Sequence, residues 1–171
     1  RRIRKLIALS KFNLIQNKNI IKKVTIKILI FILIFICINP IYFKNLKIYF
    51  VDVGQGDCTF IVTPKNKTIL IDGGGSLLPS VDVGKNTLIP YLLDRGYTKI
   101  DYIFISHFDQ DHVGGILTIL EELKVGQIVI SKQTEDSENY QKFLNIVEKN
   151  KLKVQKVQQG DMIMIENDLY F

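Results

Sequence analysis

Residues Ile28 to Ile38 form an unbroken apolar run, Ile-Leu-Ile-Phe-Ile-Leu-Ile-Phe-Ile-Cys-Ile, which any fold of this chain must take out of water. Extended from Val24 to Phe43, with Lys27 at one edge able to reach the interface, it attains the roughly 20 residues that cross a bilayer core. As a buried helix of a soluble protein it would be apolar on every face and would follow a charge cluster, a pattern that suits a membrane span better. A signal peptide shares the basic-then-apolar form. However, no Ala-x-Ala-like cleavage site follows, and Ile34-Phe35-Ile36 before Cys37 are too bulky for lipoprotein processing. An uncleaved transmembrane helix over residues 24–43 is therefore expected.

The charges divide at the same place. The formal net charge is +6, yet nine Lys and Arg precede residue 28 with no acidic residue among them, leaving 14 basic against 17 acidic residues, a balance of −3. A basic leader over 1–23 is expected on the cytoplasmic side of the membrane, and the chain beyond Phe43 outside it. That outer part is mildly acidic and offers no basic groove of the kind nucleic-acid binders use. The 47% hydrophobic content is ample for a core and excludes a disordered chain. Cys37 and Cys58 are too few and too far apart for a metal-ligand pattern, and Cys37 falls inside the apolar run.

Beyond the run, short strands are expected over Lys47–Val53, Cys58–Thr63 and Thr68–Asp72, separated by the turn residues Gly54-Gln55-Gly56-Asp57 and Pro64-Lys65-Asn66-Lys67. Asn86 or Thr87 can cap a helix through Arg95, with Pro90 near its first turn and Gly96 as its stop. Ile100–Ser106 reads as a buried strand, and Val113, Ile116, Leu117 and Leu120 recur at helical spacing. A strand near Ile128–Ile130, a helix capped by Ser137 with Tyr140, Phe143, Leu144 and Val147 on one stripe, and strands near Lys151–Val157 and Asp161–Ile165 complete the pattern. Strands first, then strands alternating with helices, predict a layered α/β (α+β) protein with mixed sheets.

Within Ser106-His107-Phe108-Asp109-Gln110-Asp111-His112-Val113-Gly114-Gly115, both histidines of the chain lie in the six-residue window His107–His112, with two aspartates between them. Imidazole nitrogen and carboxylate oxygen are the usual ligands of zinc and similar divalent ions. His107 and Asp109, two apart on an extended loop, can converge on one ion; Asp111 and His112, adjacent, can serve a neighbouring one. Gly114 and Gly115 would let the following helix approach closely. The plainer alternative is that Asp109 or Asp111 only caps that helix.

His-x-Asp-x-Asp-His after a strand and before Gly-Gly resembles the metallo-β-lactamase superfamily signature His-x-His-x-Asp-His, with aspartate in place of the second histidine. Upstream, Val51-Asp52-Val53-Gly54-Gln55-Gly56-Asp57 and Ile69-Leu70-Ile71-Asp72-Gly73-Gly74 match two further signatures in the right order. From about residue 47 to the end, the set resembles the extracytoplasmic hydrolase domain of the ComEC-type late competence family, which takes up DNA. The resemblance implies the N-terminal half of an αββα sandwich preceded by one transmembrane helix. It implies that Asp72 supports the site from behind, that His107 and Asp109 hold a first divalent ion, and that Asp111 and His112 hold a second. By the same resemblance Asp111 would alternatively be the catalytic residue, acting on the attacking water when one ion is present. Asp52, Gln55 and Asp57 would form a rim loop or merely a structural turn, and Gly73 and Gly74 a tight turn beside the metals.

The family chemistry would be phosphodiester hydrolysis of DNA by two ions, zinc or manganese, with no protein nucleophile. Carboxylate at Asp109 hardens the first site and moves its preference toward manganese or magnesium. A bridging aspartate and further histidines are expected from the second half of such a domain, and no third histidine follows. The chain starts at Arg1 and stops at the strand-like Asp168-Leu169-Tyr170-Phe171, so the remainder of the hydrolase domain and further membrane spans are expected elsewhere in a longer protein. Two other outcomes remain open: a stand-alone anchored or exported hydrolase acting on another ester, and an inactive, poorly stable fragment.

Overall fold

The computed structural model describes residues 18, 20–37, 45–78, 80–132, 136–167 and 169–171. They belong to two compact units, Arg1–Lys44 and Asn45–Phe171.

In the first unit, residues 20–37 form a helix, α1, whose side chains are all exposed. Its one hydroxyl is satisfied internally, Thr25 Oγ1 donating to the Ile21 carbonyl at 2.9 Å. Lys22, Lys23 and Lys27 lie in its N-terminal half. Among the described residues no helix is long and apolar enough to cross a membrane. Most of the expected leader over 1–23, and the 38–43 end of the expected span, lie outside the described residues.

The second unit is a six-stranded sheet in the order β1 (Lys47–Phe50), β2 (Thr59–Val62), β3 (Thr68–Ile71), β4 (Lys99–Ile105), β5 (Lys124–Ser131), β6 (Val154–Val157). The first three strands are an antiparallel meander joined by the short loops 51–58 and 63–67, and β3 to β6 run parallel. Each parallel pair needs a crossover, and the helices α2 (Ile89–Asp94), α3 (Gln110–Glu122) and α4 (Glu138–Asn150) supply them. The strand alternation feeds two cores. On β4, Ile103 and Ile105 join the core shared with the helices, while Tyr102 and Phe104 pack with Ile61, Ile69, Val129, Ile163 and Ile165 in the other. Among the described residues that second face carries a small hairpin, β7 (Met164–Glu166) with β8 (Leu169–Tyr170), and on the same face opens a cleft of about 390 Å³ walled by Ile71, Phe104, Val129 and Val157.

The layered mixed α/β architecture is as expected. Several boundaries differ, for local reasons. Helix α3 starts at Gln110 rather than Val113, because the Asp109 carbonyl already accepts from the His112 and Val113 N–H groups. Asp111 and His112 are thus helical, and only His107 and Asp109 stand on the loop.

The segment before α2 begins with a widened helical turn, Gly84–Leu88, and its cap is neither Asn86 nor Thr87. Asp82 takes that place: its carboxylate accepts from Lys85 N–H at 2.9 Å and from the Thr118 hydroxyl of α3 at 3.0 Å. Ser137 caps α4 as expected, accepting from Tyr140 N–H, but Leu144 is exposed and the stripe centres on Phe143.

Candidate metal centre

Parallel β4 ends at Ile105, the chain bends at Ser106, and residues 107–109 lead into α3 with Asp109 extended. Phe108, at the middle of this stretch, is buried in an aromatic cluster with Tyr140 and Phe143, ring centroids 4.8 and 5.1 Å away. The Asn139 side chain further clamps it, donating to its carbonyl at 3.0 Å. With Phe108 held inward, His107 and Asp109 on either side of it turn to the opposite surface, the period-two alternation of extended chain. His107 Nε2 and Asp109 Oδ2 stand 3.5 Å apart. Two ligands of one tetrahedral ion at ordinary bond lengths are separated by about 3.3 Å.

Helix α3 fixes the second pair of residues. Val113, Ile116, Ile119 and Leu120 are fully buried against the sheet, at roughly 1.5–3 kcal/mol apiece. That anchorage presents the first turn, with Asp111 and His112, to the end of β3. There Asp72 adopts a left-handed conformation, φ 55°, and is itself buried. Its carboxylate accepts from Ser106 N–H at 2.9 Å, from the Ser106 hydroxyl at 2.7 Å, and contacts His112 Nδ1 at 3.0 Å. The His107 and His112 rings lie side by side, centroids 3.9 Å apart.

Burial disfavours the charged form of His112, but the hydrogen bond and charge of Asp72, helped by Asp111 and Asp57, outweigh it and hold this imidazole above its ordinary range. Cys58, also near Asp72, is pushed up to about 12, first by burial and then by the Asp72 charge, so near neutral pH it is a thiol.

The glycines explain how the elements come so close. Gly73 N–H donates to the His112 carbonyl at 2.7 Å, and Gly115 N–H to the Gly74 carbonyl at 2.9 Å. A Cβ on Gly115 would overlap the Gly73 carbonyl, and one on Gly56 would overlap the Asp111 carbonyl. The 52–57 loop buttresses this junction through its backbone: the Asp57 and Gln55 carbonyls accept from Gly74 and Gly75 N–H. Asp52 closes its own turn, accepting from Gly54 N–H at 3.1 Å. The backbone of this loop thus serves as framework, while the side chains of Asp52, Gln55 and Asp57 are exposed.

Among the described residues no three His, Cys, Asp or Glu side chains are disposed to hold a metal ion. The donors suit a divalent ion in kind, and His107 with Asp109 suits one in spacing, but the set is incomplete. Ser106, whose hydroxyl lies between Asp72 and His107, carried no signal in the sequence beyond its place before the histidine.

A profile of the Metallo-beta-lactamase superfamily matches residues 51–162, which hold every residue of this cluster. The chain belongs to the metallo-beta-lactamase superfamily. Within it, the chain is 32% identical over 132 residues to ComE operon protein 3 of Bacillus subtilis, covering 71% of this chain and 17% of that protein. It is likewise 32% identical over 139 residues to Recombination protein 2 of Haemophilus influenzae, covering 77% of this chain and 17% of that one. The ComEC-type resemblance of the motifs is met by these two relatives, of whose length the chain spans only 17%. Among solved structures, a motif mutant of a metallo-beta-lactamase from Cronobacter sakazakii aligns with a TM-score of 0.47 at 18% identity, over 69% of this chain and 47% of that one. The mixed α/β fold is consistent with the superfamily.

Proposed function

We propose that the chain carries part of a divalent-metal-dependent hydrolase domain of a DNA-uptake protein, and that the intact domain cleaves phosphodiester bonds of DNA outside the membrane. The observation that carries this reading is the orientation of the two histidines. His112 Nδ1 is taken by Asp72 and His107 Nδ1 by Ser106, which leaves both Nε2 atoms for a metal.

In this reading His107 and Asp109 hold one ion, and Asp111 and His112 contribute to a second, the remaining ligands coming from the rest of the domain. When bound, zinc or manganese ions supply an activated water at neutral pH and grip phosphoryl oxygens. The chain's own part is to orient the imidazoles, to hold Asp111 on a rigid helix turn beside His112, and to keep α3 fixed on the glycine junction. The charge balance of −3 beyond residue 27 offers DNA little attraction, so the ions and the remaining domain must provide it.

The basic leader and the apolar run over 24–43 support a membrane anchor, with α1 as its helical part and the hydrolase unit on the extracytoplasmic side. The test is hydrolysis of DNA and of simpler phosphodiesters, with manganese or zinc, by the chain and by any longer protein read in the same frame, with Asp111→Asn as the control. DNA cleavage lost in that variant supports the proposal; equal cleavage by both proteins overturns it, and hydrolysis of other esters alone favours the stand-alone enzyme.

A further inference from the structure

The two histidines depend on one carboxylate, but by different routes. Asp72 Oδ2 contacts His112 Nδ1 directly, at 3.0 Å. It also accepts the Ser106 hydroxyl hydrogen at 2.7 Å, and the same Ser106 oxygen stands 2.9 Å from His107 Nδ1. A serine hydroxyl has a single hydrogen. Committed to a buried carboxylate, where a charge-assisted bond is about twice as strong as a neutral one, it leaves only a lone pair facing His107. The His107 Nδ1 atom must then bring the hydrogen.

We propose that Ser106 is a positioning residue that relays the Asp72 carboxylate to His107, fixing the Nδ1–H tautomer and so freeing Nε2 of His107 for the ion. This deepens the metal-centre reading and rests on it. The opposite polarity, with Ser106 donating to His107, would place the hydrogen of His107 on Nε2, point it at Asp109 Oδ2 3.5 Å away, and block that nitrogen as a ligand. It would also take from buried Asp72 one of its three donors. The backbone reinforces the arrangement, since Ser106 N–H is bound to Asp72 Oδ1 at 2.9 Å and holds the hydroxyl within reach.

The tautomer can be read directly from imidazole nitrogen chemical shifts and couplings of the full chain in detergent micelles, without metal, at a pH where both rings are neutral. His107 and His112 are both expected as Nδ1–H forms. An Nε2–H form of His107 in the unaltered chain overturns the relay outright, with no variant needed. In Ser106→Ala, His107 is expected to move toward the Nε2–H form that free imidazole side chains favour, while His112 keeps its Nδ1–H form; Ser106→Thr is expected to restore the unaltered pattern. An unchanged His107 tautomer in Ser106→Ala also overturns the proposal.

Zinc titration followed by the same signals separates this from the underlying reading. If both rings are Nδ1–H but neither responds to zinc, in the chain or in any longer protein read in the same frame, the relay stands and the metal centre falls. If the unaltered chain binds zinc, Ser106→Ala is expected to bind it about 10–100-fold more weakly, the range for loss of a ligand's supporting partner. Equal affinity would show that the relay is dispensable and would overturn its positioning role.

Discussion

Asp72 Oδ2 lies 3.0 Å from His112 Nδ1, and the same carboxylate also takes the N–H and the hydroxyl of Ser106. Three donors therefore point at one buried side chain held in a left-handed conformation, a backbone state that costs on the order of 1–2 kcal/mol for a residue with a Cβ. Asp72→Asn keeps the shape but replaces one acceptor oxygen with a donor group, leaving at least one of the three donors unpaired. The expected cost is about 1–3 kcal/mol in unfolding free energy. Because His112 then loses the partner that orients it, metal affinity is expected to fall about 10–100-fold. Chemical denaturation and metal titration of the variant check both; unchanged metal affinity in a folded Asp72→Asn protein would remove Asp72 from the site.

Gly54 and Gly56 separate backbone strain from crowding. Both have positive φ, 80° and 82°, but a Cβ on Gly54 meets nothing within 4 Å while one on Gly56 overlaps the Asp111 carbonyl. Gly54→Ala is expected to cost only its conformational penalty, on the order of 1 kcal/mol. Gly56→Ala must also push the first turn of α3 away, so its loss of stability is expected to be at least twice as large and accompanied by weakened metal binding. Equal destabilisation by the two variants, measured by urea unfolding, would show that the 52–57 loop yields without disturbing Asp111.

Asp101 gives a pH signature away from the site. Burial works to raise its pKa, but the hydrogen bond from Lys99, the Thr68 N–H and the Lys67 charge together bring it below the ordinary carboxylate value. Lys99 Nζ lies 2.7 Å away and Lys67 Nζ 3.5 Å. A carboxyl whose folded pKa is depressed contributes stability above its unfolded pKa, near 3.8, and loses it as pH falls through the folded value. Asp101→Asn is therefore expected to be about 1–2 kcal/mol less stable than the unaltered chain near neutral pH, with the gap closing below pH 4. A gap that persists unchanged at low pH would mean that packing, not charge, holds the β3–β4 edge together.

The order of elements, the helix-covered sheet and the His107–His112 window were legible because each rests on a local pattern: short apolar, β-rich runs between turn residues for β2 and β4, the 3.6-residue stripe of α3, and ligand residues two and five apart. What was not legible depended on contacts distant in sequence. Helix α3 begins three residues before its apolar periodicity does, because Gln110, Asp111 and His112 add nothing to that periodicity while the Asp109 carbonyl already starts the hydrogen-bond ladder. The Asp82 cap was missed because Asn86 and Thr87 are equally good local candidates, and only Thr118 on a different helix selects Asp82. Ser106 was missed because its role requires Asp72, 34 residues earlier, to be brought beside it by the parallel pairing of β3 and β4.

Asp109 is the residue at which capping and metal binding can be told apart. It occupies the N-cap position of α3, yet its side chain makes no capping hydrogen bond and is 75% exposed, turned toward His107 instead. If it acted as a cap, Asp109→Ala would cost about 1 kcal/mol. With no such bond to lose, the variant is expected to lie within about 0.5 kcal/mol of the unaltered chain. Its effect should appear in metal choice. A carboxylate favours the harder manganese and an imidazole favours zinc, so Asp109→His is expected to raise the ratio of zinc to manganese affinity by about tenfold or more in competition titrations. A stability loss near 1 kcal/mol in Asp109→Ala, together with an unchanged affinity ratio in Asp109→His, would return Asp109 to the role of a helix cap and leave His107 without its neighbour in the metal centre.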